Sequence, residues 1–400
     1  MSTPDRVSAA LRPQASDSRR PVLSLGQTRE YLLELFGADM HATRVLSIAN
    51  AVAGLLDAAV LSVHAIGQAY AKLAWITPKA GTKQVDRLLS NKGFDLAICL
   101  TLWIQFVVAE RDEIMLAMDW TDFDDDDHTT LCVYLLTNHG RATPLYWKTV
   151  LKSKLKGRRT AIEHEVVTAL DASLAEGVRV HLLADRGFGD QKLYELLREL
   201  AWDFTIRFRG NIEVESRDGE IRTAAEWVPA SGRPLMLREA RVTQDRYPVA
   251  AVVVVHARNM KDSWCLATSK ADWPASQVVK AYARRFTIEE TFRDTKDLHF
   301  GMGLRATHIN NADRRDRLLL LVAIAHALLT LLGAASEAAG LDRILKVNTS
   351  KKRSHSLFRQ GLYWYDCIPN MRPDWLADLM REFDRIVRQH AVFREIFGII

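Results

Sequence analysis

The sequence predicts an α/β core flanked by helical regions on both sides. Short apolar runs and helical patterns alternate between residues 111 and 210, an order typical of a sheet with an antiparallel start and parallel additions. In residues 26–110 and 311–400 apolar residues recur at helical spacing, which predicts two helical regions. Extended segments separated by turns in residues 211–262 predict a β-rich insertion that interrupts the core.

Length and composition are those of a globular protein with more than one structural unit. The chain has 400 residues, 48% hydrophobic and 26% charged, values that are ordinary for folded proteins. The net charge of +5 permits a polyanionic partner without requiring one. The four cysteines are scattered along the chain, at Cys99, Cys132, Cys265 and Cys367. They show no CxxC or Cys/His spacing, which argues against a zinc site or a disulfide framework and favours a cytoplasmic protein with reduced thiols.

Two segments could be mistaken for targeting or membrane elements. Residues 1–25 are rich in Ser, Arg and Pro and have no apolar stretch, so a disordered leader is expected rather than a secretory signal. The most apolar run, 318–333, is shorter than the ~20 residues of a bilayer span. It predicts a buried core helix, and no membrane association is expected.

The elements are predicted in order along the chain. Residues 26–110 form a helical domain with one break around 77–81, which is followed by a short helix at 82–91. The core (111–210) then has strands at 114–118, 129–137, 142–150, 178–184 and 204–208, with helices at about 160–176 and 191–200. Extended segments at 213–215, 234–237 and 249–256 form the insertion. The core resumes in 263–310 with a strand at 264–268 and one long helix at about 274–297.

Two aspartates end apolar strands of the predicted core. Asp119 follows the first strand and Asp185 the fourth, and these strands can lie side by side and parallel, with both carboxylates at the carboxyl edge of the sheet. Hard oxygen ligands suit Mg²⁺, with Mn²⁺ as a substitute. Two such ions ~3.5–4 Å apart can activate a nucleophile and stabilise the leaving oxygen of a phosphodiester. A third carboxylate is needed, and the long helix can supply it.

One face of the long helix carries the remaining candidates. Tyr282, Arg285, Glu289 and Lys296 fall within a sector of about 60° at helical spacing. Glu290 lies outside this sector, so Glu289 is the predicted third carboxylate. The alternatives are a turn or cap role for each aspartate, surface pairing of Glu289 with arginines, and simple packing of Tyr282. The combination favours a metal site beside a phosphate grip.

These residues resemble a known family. The helix positions reproduce the Y-(2)-R-(3)-E-(6)-K signature of the insertion-sequence-four family of bacterial DD(E) transposases. Residues 288–296 and 301–305 are similar to its insertion-sequence-ten branch, as are 119–122 and 185–188 to its two aspartate blocks. Residues 85–91, 348–349 and 356–361 resemble its DNA-binding region and tail.

The resemblance implies an RNase H-like core and cut-and-paste transposition through a hairpin at the element's end. It assigns Asp119, Asp185 and Glu289 to two metal ions, and Tyr282, Arg285 and Lys296 to DNA near the scissile phosphate. The chain departs from the pattern in its longer leader and in an acidic run at 122–127. We expect that run to be a solvated loop that discourages non-specific DNA.

Further DNA contacts are expected from basic and aromatic residues. Charge runs are often only solvated faces, but two stretches (148–159 and 346–359) and the short N-terminal helix fit phosphate contacts. Trp264 either packs in the core or stacks on an extruded base. The candidate DNA-binding residues beyond the signature are Trp264, Arg293, Lys83, Arg87, Lys351, Lys352, Arg353 and Arg359.

The expected partners are the element's terminal inverted repeats and target DNA, with a dimer in the DNA complex. Three alternatives remain open. A structure-specific nuclease or resolvase would share the carboxylates without needing DNA ends of one sequence. A domesticated, non-catalytic DNA-binding protein would keep the fold alone. A hydrolase of small phosphates would have no use for the basic tail.

Overall fold

The computed structural model describes residues 24–137, 141–296, 303, 307–347, 349–350 and 353–388, with backbone alone at 295 and 296. Most of the predicted leader and the predicted DNA contacts Lys351 and Lys352 lie outside the described residues. The side chain of Lys296 also lies outside them.

Five helices form the N-terminal region: α1 (Leu25–Phe36), α2 (Ala42–Ala58), α3 (Val63–Ala74), α4 (Pro78–Ser90) and α5 (Leu96–Val108). The predicted break at 77–81 is wrong, because Pro78 begins α4 and Thr77 caps it by accepting a hydrogen bond from the Ala80 amide. Proline suits the first turn of a helix, where its missing N–H has no intrahelical partner.

Helices α3 and α4 cross at very close range. A Cβ built on Gly67 in α3 would lie 2.3 Å from the Cα of Thr82, and one on Gly81 in α4 would lie 2.2 Å from the carbonyl oxygen of Gly67. Only glycine permits this approach of two backbones. The crossing fixes α4, which carries Lys83 and Arg87, relative to the other helices.

The described residues contain one ten-stranded sheet, with the order β3-β2-β1-β4-β5-β10-β9-β8-β6-β7. Its strands are β1 (Glu113–Phe123), β2 (His128–Leu135), β3 (Thr143–Leu151), β4 (Arg179–Ala184), β5 (Asp203–Phe208), β6 (Glu213–Glu215), β7 (Ile221–Thr223), β8 (Leu235–Val242), β9 (Tyr247–Val255) and β10 (Trp264–Thr268). Strand β1 pairs antiparallel with β2 and parallel with β4, which confirms the predicted neighbourhood of the first and fourth strands and the mixed α/β class.

The β-rich segment at 211–262 continues the core sheet. Strand β9 pairs with β10, and β10 pairs with β5 of the core. Strands β8, β6 and β7 extend the sheet outward from β9. The segment therefore shares a continuous hydrogen-bonded sheet with the strands that carry the aspartates.

Helices connect and cover the strands: α6 (Arg159–Asp171), α7 (Gln191–Glu199), α8 (Ala275–Ala283), α9 (Thr287–Lys296), α10 (Ala312–Ala338), α11 (Leu357–Cys367) and α12 (Pro373–Arg388). Helix α10 packs on β3: the Trp147 indole donates to the Asp316 carbonyl oxygen, and the Thr149 amide donates to the buried Asp316 carboxyl. Helix α11 crosses α10 closely, since a Cβ on Gly361 would lie 1.8 Å from the Leu329 carbonyl oxygen.

One described helix is long and apolar enough to cross a membrane. It is α10, with 27 residues, and 89% of its most apolar window is buried inside the protein. Its packing between β3, α11 and α12 is that of a core helix, as predicted for 318–333. The pair α2 and α3 passes the same length and composition test only together, and it bends by 101°.

Candidate active site at the edge of two parallel strands

Asp119 and Asp185 occupy equivalent positions on neighbouring strands. The parallel register of β1 and β4 ends with Met118 opposite Ala184, so each aspartate is the next residue of its strand. Strand β4 ends there, whereas β1 continues and pairs Asp119 with Cys132 of β2. The predicted end of the first strand at Met118 is therefore wrong, because β2 supports β1 as far as Phe123.

Each aspartate is held by a nearby backbone amide through one carboxylate oxygen. Oδ1 of Asp119 accepts from the Trp120 amide at 2.9 Å, and Oδ1 of Asp185 accepts from the Gly187 amide at 3.2 Å. The second contact caps the short 3₁₀ turn Arg186–Phe188. Local hydrogen bonds thus fix both carboxylates before any helix contributes.

The other oxygens of both aspartates face one guanidinium. Arg285 places Nη1 3.2 Å from Oδ2 of Asp119 and Nη2 3.8 Å from Oδ2 of Asp185. The same Nη2 lies 3.7 Å from Oε1 of Glu289. Arg285 is only 4% exposed. Three carboxylates from two strands and a helix therefore meet around a single buried cation.

The long helix predicted at 274–297 is two helices. Helices α8 and α9 are separated by a 3₁₀ turn at Arg284–Phe286. The turn carries Arg285, and the α9 helix that follows carries Glu289. Apolar periodicity does not separate the two helix types over three residues, so the break was not visible in the sequence.

Side-chain contacts dock α9 on the start of β3. The Thr291 hydroxyl bonds both the amide and the carbonyl of Ala142, Asp294 pairs with Arg141, and the Phe292 ring meets the edge of Tyr134 at 5.3 Å. These contacts fix the rotation of α9, and with it the direction of Glu289.

Glu289 and Glu290 point to different partners. Glu290 pairs with Arg293 and lies 3.8 Å from Arg141, whereas Glu289 shares Arg285 with the aspartates. This bears out the helical spacing used to separate the two glutamates.

Burial governs the electrostatics of Asp119. Loss of solvent raises the pKa of this carboxyl above its ordinary range, Arg285 opposes the rise, and the like charge of Asp185 adds to it. A carboxylate in this position gains from any additional cation. Metal binding would provide one and favour the ionised form.

The donor chemistry of the site fits a divalent metal. Mg²⁺ takes oxygen ligands, commonly one or two carboxylates with waters and substrate phosphates, and Asp119 and Asp185 present two such groups at one edge. Among the described residues no three His, Cys, Asp or Glu side chains stand ready to enclose an ion. The reason is visible here, because the three carboxylates contact Arg285 instead.

Tyr282 and Trp264 form an aromatic wall behind Arg285. The Tyr282 ring is fully buried, and its hydroxyl has no hydrogen-bond partner among the described residues. Trp264 is half-buried, meets Tyr282 edge-on at 4.9 Å and stacks near Phe286 at 5.8 Å. Packing of Trp264 is thus observed, whereas its stacking on a base remains a prediction.

The aspartates of the acidic run at 122–127 are mostly exposed, in keeping with a solvated segment, but several are paired and the side chain of Asp126 is buried. Asp126 is buried against the fully buried Arg315 of α10, and Asp127 accepts from the amide and hydroxyl of Ser153. Asp122 and Asp124 share Lys152. The run ties the β1–β2 turn to α10 and to the basic stretch after β3.

The other predicted DNA contacts are spread over several surfaces. Lys83 and Arg87 are exposed on α4, and Arg293 is exposed but paired with Glu290. Arg353 forms two hydrogen bonds with Glu337 at 2.6 and 2.7 Å. Arg359, half-buried in α11, acts electrostatically on Asp294 of α9.

Sequence reasoning missed a cluster beside the aspartates. Glu163 of α6 accepts from the Trp120 indole N–H at 2.8 Å and from Nε of Arg159 at 3.1 Å. These residues border a cleft of about 490 Å³ lined also by Asp119 and Asp185. The i,i+4 spacing of Arg159 and Glu163 was a possible signal, but it looked like an ordinary surface pair.

Comparison with known proteins covers part of the chain. No curated protein matches it. Residues 154–328, fewer than half of the chain, match the family described as "Transposase DDE domain". The matched segment includes Asp185, Arg285 and Glu289, and it begins after Asp119. A domain of this kind indicates an enzyme that acts on DNA, and the match supports a DDE transposase family for this chain.

Proposed function

We propose that this protein is a cut-and-paste DNA transposase of the insertion-sequence-four type, with an RNase H-like core. Its active site comprises Asp119, Asp185 and Glu289. The observation that carries the proposal is the convergence of these three carboxylates on Arg285, at contact distances between 3.2 and 3.8 Å. Three acids from distant parts of the chain gather around one guanidinium that is itself buried, and burying that cation carries a desolvation cost. Such an arrangement is typical of a functional site.

Asp119 and Asp185 would hold two Mg²⁺ ions, with Glu289 as the third ligand group. Bound there, the metal supplies charge stabilisation and an activated hydroxyl nucleophile for phosphodiester cleavage. The backbone amides of Trp120 and Gly187 keep one oxygen of each aspartate fixed. The other oxygen of each aspartate and the carboxylate of Glu289 would be available to hold the metal ions once Arg285 is no longer paired with them.

Arg285 can pair either with the carboxylates of the site or with a DNA phosphate. Without DNA it is the counterion that the three carboxylates share. When a phosphate enters, its planar fork can transfer to the phosphate oxygens, since guanidinium binds phosphate in a bidentate manner. Tyr282 stacks behind it, with Arg285 5.9 Å from the ring centroid, and would hold the arginine in line. Lys296 completes the proposed grip on the strand.

The N-terminal helices would recognise the terminal repeat through Lys83 and Arg87 on α4. The tail would add phosphate contacts through Lys351, Lys352, Arg353 and Arg359, and Arg293 would contribute beside the active site. Two element ends must be held together for excision, so we expect a dimer in the DNA complex. Hairpin formation at each end would place Trp264 against an extruded base.

A cleavage assay with purified full-length protein tests the proposal. The substrate is a duplex carrying the inverted repeat that borders the gene, with Mg²⁺ or Mn²⁺. Nicking at the repeat boundary followed by joining to target DNA supports a transposase. Cleavage of branched DNA of any sequence without joining indicates a structure-specific nuclease, and binding without cleavage indicates a domesticated DNA-binding protein.

A further inference from the structure

A cleft lined in part by basic side chains lies beside the aspartates. Arg285 and Glu289 are not among its lining residues. The cleft of about 490 Å³ is lined by Asp119, Asp185, Arg159, Arg186 and Arg209, among others. Lys152 also lines it but is held by Asp122 and Asp124. In the described part of the chain, neither Arg186 nor Arg209 forms an ion pair, so two unpaired guanidinium groups line the cleft next to the proposed catalytic carboxylates.

The guanidinium of Arg159 is held in a fixed orientation. It lies 5.4 Å from the ring centroid of Trp120 and 5.7 Å from that of Phe188. Its Nε donates to Glu163 at 3.1 Å. Contacts with two aromatic rings and a hydrogen bond at one nitrogen restrict a side chain that is otherwise among the most flexible.

The carboxylate that fixes Arg159 is itself buried. Glu163 is 3% exposed and also accepts the Trp120 indole N–H at 2.8 Å. Burial raises the pKa of this carboxyl above its ordinary range. The Arg159 side chain is 45% exposed, so only the carboxylate of this ion pair is withdrawn from solvent. Trp120 directly follows Asp119, so the cluster is coupled to the active site.

The Nη end of Arg159 lies beside the 3₁₀ turn that follows Asp185. A Cβ built on Gly187 would lie 3.3 Å from an Nη atom of Arg159, and the Gly187 amide holds Asp185. Among the described residues no acceptor takes up the Nη groups of Arg159. The two nitrogens therefore face the cleft immediately beside the carboxylate edge.

We propose that Arg159 binds a second DNA phosphate, adjacent to the scissile one on the same strand, and that Trp120, Phe188 and Glu163 are positioning residues for it. The inference rests on the proposed function, because a strand must pass the three carboxylates for its neighbouring phosphate to reach the cleft. A planar fork held between rings recognises one phosphate by geometry as well as charge. Arg186 and Arg209 supply the surrounding positive field.

The test asks whether Arg159 and one particular DNA phosphate contribute to binding through the same contact. Full-length protein is bound, without divalent metal, to the repeat duplex, and single phosphates around the cleavage site are replaced in turn by neutral methylphosphonates. In the wild type we expect one replacement outside the scissile position to weaken binding about tenfold. In Arg159→Ala we expect a similar loss on the unmodified duplex and no further loss from that replacement.

Three variants and one control separate the effect of the orientation of Arg159 from the effect of its charge. Arg159→Ala should reduce the salt dependence of binding by about one phosphate contact, whereas Arg159→Lys should keep that dependence and lose part of the affinity. Glu163→Gln keeps the charge of Arg159 but removes the carboxylate that orients it. The effect of the methylphosphonate replacement on binding should therefore be about threefold smaller than in the wild type. Arg179→Ala removes a more exposed arginine, at the end of β4 away from Asp185, and should leave the methylphosphonate effect intact. Thermal unfolding identifies any variant that misfolds, and Arg159→Lys then carries the test.

The outcomes distinguish the inference from the proposed function. If the wild type neither binds nor cleaves the repeat duplex, both are overturned. If the wild type binds and cleaves it, but every methylphosphonate effect persists in Arg159→Ala, only the second phosphate site is overturned.

Discussion

The Nη1 atom of Arg285 lies 3.2 Å from Oδ2 of Asp119, so a buried arginine serves as the counterion of a half-buried aspartate. The same arginine reaches Asp185 and Glu289. It therefore occupies the side of the carboxylates that a metal ion would use. Arginine and metal compete for one set of oxygens, and the competition can be measured without DNA.

Replacing Arg285 should strengthen metal binding by the free protein. In Arg285→Gln the carboxylates repel one another without a counterion, so Mg²⁺ should raise the melting temperature more than in the wild type. We expect an apparent affinity gain on the order of tenfold, or about 1.4 kcal/mol. The measurement is thermal unfolding against Mg²⁺ concentration. Arg284→Gln, at the neighbouring exposed position, is the control. Equal Mg²⁺-dependent changes in melting temperature in both variants would show that Arg285 does not compete with the metal.

Asp316 should make stability depend on pH. Burial raises the pKa of its carboxyl to about 7, so the folded state binds the proton more tightly than the unfolded state. Its contribution is fully present below the ordinary carboxyl pKa and is lost as pH rises toward 7. The free energy of unfolding of the wild type relative to Asp316→Asn should fall over this window, by at most about 4 kcal/mol.

Denaturant unfolding between pH 4.5 and 7.5 measures this difference. Asp218→Asn changes an exposed aspartate between β6 and β7 and should give a flat difference. A flat difference for Asp316→Asn as well would mean that the buried carboxyl is not protonated in the folded state.

Gly67 should be required for the crossing of α3 and α4. Alanine there would push its Cβ to 2.3 Å from the Cα of Thr82, and backbone cannot move aside as a side chain does. We expect a loss of about 1–3 kcal/mol in stability and weaker binding of the repeat duplex. Gly26→Ala is the control, since its Cβ would meet nothing nearer than 3.8 Å. Equal stability of the two variants would refute the close packing.

Trp264 should affect the hairpin step more than the first nick. Base stacking on an aromatic ring is worth about 1–3 kcal/mol, so Trp264→Ala should lower the ratio of hairpin to nicked product roughly tenfold. Trp264→Phe keeps a ring against Tyr282 and Phe286 and should retain most of the hairpin. Gel analysis of end-labelled duplex gives both products, and an unchanged ratio in a folded Trp264→Ala protein would contradict the stacking role.

The meeting of Asp119 and Asp185 could be predicted from sequence because strand order and strand ends determine it. Asp185 directly follows β4, Asp119 lies within β1 at the matching position, and the parallel register places them side by side. The separation of Glu289 from Glu290 could also be predicted, since helical spacing holds within α9 despite the preceding break.

Other features depend on contacts between distant segments. The 3₁₀ turn at Arg284–Phe286 leaves no distinct periodicity. The pairing of Asp126 with Arg315 joins residues 189 positions apart in the sequence, so an acidic run looked solvated when part of it is buried. Likewise, the role of Glu163 depends on Trp120, which lies on a neighbouring element and gives no local pattern.

The central claim is that Glu289, and not its neighbour, completes the catalytic site. Excision of a marker flanked by the gene's native ends should be measured in cells for wild type, Glu289→Gln and Glu290→Gln at equal expression. Loss of a metal ligand removes several kcal/mol of transition-state stabilisation, so Glu289→Gln should reduce excision on the order of 10³-fold. Glu290→Gln should stay within a few-fold of wild type. Equal excision by wild type and Glu289→Gln would contradict the account.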